Sequence, residues 1–227
     1  MSTTLNGERV EGAGSVEAWW LGRVRYADAW ELQRTVFNEV LARERPNTFL
    51  LCEHPDVVTI GRNARNDETL RVSREELRAM GYDLHDVDRG GDVTYHGPGQ
   101  LVGYPIVRLV DFREDLGWYM RGIEELIIRA IAPYGIEGGR VPGMSGVWVG
   151  ESKVCAIGIR ASRWVTMHGF ALNVTSDLTR FDPIVPCGIE EYSVTSIAAL
   201  TDSRPSLLEV ARNVVDVWDE VMRRGEG

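Results

Sequence analysis

The chain has 227 residues, a formal net charge of −9, 44% apolar and 26% charged residues. That is the composition of an ordinary globular domain with a real core, and its acidic balance argues against nucleic acid as the main partner, because such proteins carry a basic footprint. No apolar run approaches the roughly 18–20 residues that span a bilayer, and the N-terminus lacks an apolar signal core. Residues 1–15 therefore read as a flexible polar tail, 16–227 as one domain, and the cytoplasm as the compartment, with no membrane partner.

In chain order, residues 16–24 predict a first strand. Ala27, Trp30, Val36, Phe37, Val40 and Leu41 form a helical apolar stripe over about 26–45, which Pro46 closes. The runs 48–52 and 57–60 predict buried strands, and His54, before Pro55, sits in the turn between them. Ser73 and Glu76 make a capping-box signature for a short helix that Gly81 ends. A strand over 83–88 leads into R-G-G-D-V-T-Y-H-G-P-G-Q at 89–100. This reads as a glycine-rich loop whose backbone lies against a ligand; it runs directly into an apolar strand ending near Leu109, so a binding loop is fixed to a rigid element. Residues 116–134 predict a second amphipathic helix. Three strands follow at 147–149, 153–160 and 164–174, spaced as antiparallel hairpins. After a helical turn at 177–181, Ser206 with Glu209 opens an amphipathic C-terminal helix. The mixture of helices with a strand-rich second half is α+β (mixed α/β) rather than a repeating βαβ series.

Two residue types single themselves out for chemistry. The cysteines, Cys52, Cys155 and Cys187, are odd in number and show no metal-ligand or disulfide spacing. Cys52 and Cys155 lie in apolar strands and read as small buried hydrophobes. Cys187 lies between Pro186 and Gly188 in turn chemistry, where a thiol can be accessible and backbone N–H groups can hold an oxyanion. Of the 25 basic residues only Lys153 is lysine; arginine cannot be deprotonated in a protein, whereas lysine can act as a base. Strict strand alternation puts Lys153, Cys155, Ile157 and Ile159 on one face. A Cys–Lys pair suits acyl transfer: the ammonium stabilises a thiolate, the thiolate takes the acyl group, and the neutral amine later accepts a proton. His96 and His168, each before a glycine, stay open as bases of a Cys–His arrangement or as structural or binding residues. The 89–100 loop lacks the Lys and Ser/Thr of a phosphate-binding P-loop.

R-G-G-x-x-T-Y-H-G-P-G-Q-L at 89–101, S-G-V-W-V…K-V-C-A-I-G-I-R at 145–160, H-G-F-A-L-N-V at 168–174, P-C-G-I at 186–189 and E-H-P-x-V-x-T-x-G-R at 53–62 together resemble the octanoyltransferases of lipoate biosynthesis. The resemblance covers residues 16–222. It implies a biotin/lipoate protein ligase-like fold, with a larger mixed sheet flanked by helices and a smaller sheet beside it. It implies transfer of an octanoyl group from octanoyl-acyl carrier protein to a lysine of lipoyl domains, those of 2-oxoacid dehydrogenase E2 subunits and glycine cleavage H protein, with no ATP, metal or other cofactor. Cys187 takes the position of the acyl-carrying cysteine and Lys153 that of the lysine that activates it. Substrate contacts map to Arg89, Gly90, Gly91, Asp92, Val93, Thr94, Tyr95 and His96, to Ala156, Ile157 and Gly158, and to Gly169, Phe170 and Ala171. An ATP-dependent lipoate or biotin ligase shares the fold and needs no nucleophilic cysteine. A non-catalytic acyl- or carrier-binding protein would leave both Cys187 and Lys153 idle.

Overall fold

The computed structural model describes residues 3–64, 68–185 and 193–223. Its strands are β1 (Glu8–Val10), β2 (Glu17–Arg23), β3 (Thr48–Glu53), β4 (Val57–Ile60), β5 (Asp83–Asp86), β6 (Val93–His96), β7 (Gln100–Ile106), β8 (Val147–Val149), β9 (Ser152–Ser162), β10 (Val165–Asn173) and β11 (Ser193–Val194). The helices are α1 (Tyr26–Leu41), α2 (Arg74–Ala79), α3 (Leu116–Ile131), α4 (Ile197–Leu200) and α5 (Leu207–Arg223). The large sheet runs β1-β2-β3-β7-β10-β9-β11, with β8 also paired to β9, and the small one β5-β4-β6.

Alternation along the central strands sorts the core. Phe49 and Leu51 of β3, Leu101 of β7, and Phe170 and Leu172 of β10 pack with α3 and α5. Their neighbours Leu50, Cys52, Val102, Tyr104 and Ala171 pack with α1. Both layers are apolar because a strand with helices on both faces must bury every side chain. In the small sheet Val58, Val93 and Tyr95 join Leu77 of α2 and Phe181 in a separate cluster. Cys52 and Cys155 are fully buried, as expected of small hydrophobes.

Several expectations change. The segment read as a flexible tail contributes β1, which pairs antiparallel with β2 (Arg9 opposite Trp19). Just beyond it, Gly14 and Ser15 donate their backbone N–H groups to Asp219 of α5 at 2.6 and 3.2 Å. The segment V-T-Y-H, read as loop, is strand β6, antiparallel to β4 with His96 opposite Val57. The helix expected to reach about residue 45 ends at Leu41, and the second helix ends at Ile131, followed by a 3-10 turn through Tyr134. The Ser73 capping box forms in both directions, whereas Ser206 caps only by accepting from Glu209 N–H at 3.2 Å. No helix among the described residues is long and apolar enough to cross a membrane.

Candidate active site

A cavity of about 310 Å³ lies where the two sheets meet, within the size range of small-molecule sites. The small sheet and its approach supply Arg89, Gly91, Asp92, Val93, Thr94 and His96; β9 supplies Lys153, Ala156, Ile157 and Gly158; β10 supplies Gly169, Phe170 and Ala171. Residues expected at three distant points in the sequence are therefore assembled around one space. Two of the expected residues do not border it. Tyr95 points the other way, as strand alternation requires of a residue between Thr94 and His96; its hydroxyl donates to Asp56 at 2.6 Å and its ring packs on Phe181. Gly90 instead ties the sheets together, its N–H donating to the Ile159 carbonyl at 3.0 Å.

Lys153 reaches the cavity because β9 breaks alternation. Val147 pairs with Cys155 but Trp148 pairs with Lys153, so β9 carries one extra residue, Val154, opposite β8: a β-bulge. Val154 and Cys155, though consecutive, both join the core against the helices. Lys153 thereby shifts to the cavity face with Ala156 and Gly158. This corrects the expectation that Lys153 shares a face with Cys155. The lysine is 7% exposed. Its Nζ lies 4.6 Å from the Trp148 ring centroid, and its Cδ and Cε are 3.5 Å from where a Gly146 Cβ would stand. Gly146 has φ +115, and a Cβ there would meet the Cys155 carbonyl oxygen at 2.5 Å, so only glycine fits.

That glycine is held by Glu124, a fully buried carboxylate on α3. It accepts from Gly146 N–H at 3.2 Å and from Arg140 Nε at 3.0 Å, and its ion pair with Arg121 Nη1 is 2.7 Å long. A buried carboxylate survives only when its oxygens are so satisfied. The loop it pins presents Gly143, Met144 and Ser145 to the cavity.

Arg89, 7% exposed, donates from Nη2 to the Thr59 carbonyl at 2.8 Å and hydroxyl at 2.9 Å, and from Nη1 to the Gly90 carbonyl at 3.0 Å. His96 stacks on Tyr26 (6.0 Å between centroids, 8° between planes). Burial, then His54 and Arg89, push His96 down to about 3. His168 adopts φ 57, unusual for a non-glycine residue within a strand, and its Nε2 lies 2.8 Å from Asp88. Burial lowers the His168 pKa and the Asp88 bond opposes that shift. The same hydrogen bond, opposed by burial and helped by the His168 and Arg160 charges, holds Asp88 below the usual carboxylate range.

Tyr26, Asn63, Val102 and Tyr104 also border the cavity and were not anticipated; Tyr26 and Tyr104 sit in segments that read simply as helix and buried strand. Ser145 and His168 were within reach, since both lie in motifs singled out by sequence. Cys187 lies outside the described residues. The chain before it is fastened to the small-sheet side, where Val185 N–H donates to the Thr69 carbonyl at 2.8 Å. The chain after it enters the large sheet as β11, with Val194 beside Lys153. Among the described residues no group of three or more His, Cys, Asp or Glu side chains is placed to hold a metal ion.

Residues 25–218 match the family description "Lipoyl protein ligase A/B catalytic domain". The chain is 50% identical over 202 residues to an octanoyltransferase from Rubrobacter xylanophilus, covering 88% of this chain and 90% of that one. It belongs to the octanoyltransferase family of lipoyl protein ligase A/B catalytic domains. The fold is similar to that of a bipartite lipoate protein ligase from Thermoplasma acidophilum, with a TM-score of 0.69 at 16% identity over 93% of this chain and 84% of that one. It is similar also to biotin protein ligase from Aquifex aeolicus, at 0.53 and 14% over 91% and 69%. The biotin/lipoate ligase-like α+β architecture read from the sequence is the observed one.

Proposed function

We propose that this acyltransferase moves an octanoyl group from octanoyl-acyl carrier protein to a lysine of lipoyl domains, those of 2-oxoacid dehydrogenase E2 subunits and of glycine cleavage H protein, through a thioester on Cys187. The observation that carries the reading is Lys153: the only lysine of the chain is turned by a bulge out of the core and onto the wall of a cavity shared with Arg89, Thr94, His96, Ala156 and Gly169. The 50% identity to an octanoyltransferase supplies the acyl group, and the lipoyl-domain acceptor follows from the family.

In the first half-reaction the Cys187 thiolate attacks the octanoyl thioester carbonyl, the C–S bond to the carrier breaks, and the departing thiolate takes its proton from the Lys153 ammonium, which is left neutral for the next step. In the second, the acceptor lysine's neutral amine attacks the Cys187 thioester. An amide C–N bond forms, the Cys187 C–S bond breaks, and the amine's proton passes to Lys153 as the thiolate departs. Because the incoming acyl group is already a thioester, the step needs no nucleotide or metal. Apolar walls from Val102, Phe170 and Ala171 suit a hydrocarbon chain. The chain acts as one catalytic domain in the cytoplasm, with β1 a part of its large sheet.

Intact mass spectrometry tests this. Mixing the chain with octanoyl-acyl carrier protein without ATP gives one octanoyl adduct that hydroxylamine removes and that is absent from Cys187→Ala. Adding a lipoyl domain moves the mass to that domain. No adduct on the enzyme, or a requirement for ATP, overturns the reading.

A further inference from the structure

The polar residues of two motifs, Gln100 of G-P-G-Q-L and Asn173 of H-G-F-A-L-N-V, have no part in the chemistry above, yet both are almost wholly buried, at 1% and 4% exposed. Buried amides are costly unless each donor and acceptor is met, and here the partners also fix which way each amide points. The Asn173 amide nitrogen donates to the Thr195 carbonyl at 2.9 Å; a carbonyl only accepts, so Asn173 Oδ1 must face Gln100. Gln100 Nε2 donates to that Oδ1 at 2.9 Å and to the Tyr95 carbonyl at 3.2 Å. Gln100 Oε1 is thereby left against His96 Nδ1 at 2.8 Å, and an amide oxygen there requires a proton on Nδ1.

The other side of the ring agrees. Thr59 Oγ1 accepts from Arg89 Nε at 3.3 Å and Nη2 at 2.9 Å, which leaves its own hydrogen for His96 Nε2 at 3.5 Å. Every bond from Arg89 to Thr195 then runs in one direction, and Thr195 N–H donates to the Lys153 carbonyl at 3.0 Å. Gln100, Asn173 and Lys153 also border one small cleft beside the main cavity.

We propose that Gln100 and Asn173 are positioning residues that hold His96 as a neutral ring with its proton on Nδ1, keeping a second cation off the wall that Arg89 shares with the bound acyl group. His96 is thus an oriented hydrogen-bond acceptor in the cavity wall rather than an acid. Only the kinetic arm of the test rests on the octanoyl-transfer reading.

Imidazole ¹⁵N NMR of the full chain at pH 7 reads the tautomer directly. The expected wild-type signature for His96 is a protonated Nδ1 with a bare Nε2. A proton on Nε2, or on both nitrogens, overturns the proposal without reference to activity. Asn173→Leu frees Gln100 to turn, so the single tautomer is lost and KM for octanoyl-acyl carrier protein rises about tenfold, the worth of one hydrogen bond, with kcat nearly unchanged. Gln100→Glu keeps the shape and the acceptor toward Nδ1 but abolishes both donors; it raises KM in the same way and lets His96 take a second proton at higher pH than in wild type. An unchanged tautomer in Asn173→Leu, or an unchanged KM in either variant, removes Gln100 and Asn173 from this role.

Discussion

On the small-sheet side of the cavity, Thr94 stands on the regular strand β6 and Arg89 on the connection from β5 to β6, where its guanidinium is locked to Thr59 through three hydrogen bonds. On the large-sheet side, Lys153 stands on an irregularity: a bulged strand, a glycine that no other residue can replace, and a loop bolted to α3 by a buried carboxylate. The rigid side is polar in its supports and presents shape. The irregular side presents one titratable amine, its stem running past the space beside Gly146 and its Nζ over the Trp148 ring. Regular strands can only alternate, so a reactive group that must leave the core face needs a break in the alternation.

The sharpest way to break this contrast is Lys153→Arg, which keeps the charge but supplies no base. Turnover is expected to fall by about 10²–10⁴-fold while KM for the acyl donor changes little; near-normal turnover would leave Lys153 an electrostatic role only. Next in size, Glu124→Ala leaves Gly146 N–H without its buried acceptor and is expected to destabilise the chain by roughly 3 kcal/mol in urea unfolding, together with a loss of turnover because Lys153 shifts with the loop. On the opposite wall, Thr59→Val leaves the buried Arg89 donors with one acceptor fewer. A stability loss of about 1–3 kcal/mol, with KM rather than kcat affected, is expected; a kcat effect as large as that of Glu124→Ala would erase the distinction between the walls.

The remaining effect is in pH and needs no substitution. Burial pushes His54 down to about 4 and His96 to about 3, whereas in the unfolded chain a histidine titrates near 6.5. Between those values the unfolded state binds protons that the native state refuses, so stability falls as pH falls. The slope is up to about 1.4 kcal/mol per pH unit for each histidine below pH 6.5, and it is read by urea midpoints at pH 7, 6 and 5. A slope half as steep would mean that one of the two rings already takes a proton in the native state, and a flat profile that both do.

Much of the fold was legible because it obeys simple periods. The apolar stripes of α1, α3 and α5 and the Ser73 capping box follow from side-chain spacing alone. What was not legible depends on partners far away in the chain. The E-R-V of β1 has no apolar run of its own and becomes a strand only because Ala18–Trp20 offer an edge and Asp219 captures Gly14 and Ser15. The V-T-Y-H segment looked like loop because glycines surround it, although its alternation of two core-facing and two cavity-facing residues is that of a strand. The hairpin between β9 and β10 turns at Arg163 and Trp164, both with positive φ, where Asn-Gly would have announced it. The bulge at Val154 has no local signal at all: it is visible only once β8 is laid against β9. Of the described residues that the motif resemblance singled out, all but Tyr95 and Gly90 border the cavity: alternation turns Tyr95 away and Gly90 is bonded to Ile159, while Cys187 lies outside the described residues.

The burial of Lys153 carries one more consequence. A catalyst that hands acyl groups to lysine risks labelling itself. Here the chain's single lysine is 7% exposed, and every other basic side chain is an arginine, which does not accept an acyl group under these conditions. The outer surface therefore presents no well-exposed lysine amine to an activated acyl group, and the one lysine that such a group could meet is the one inside the cavity.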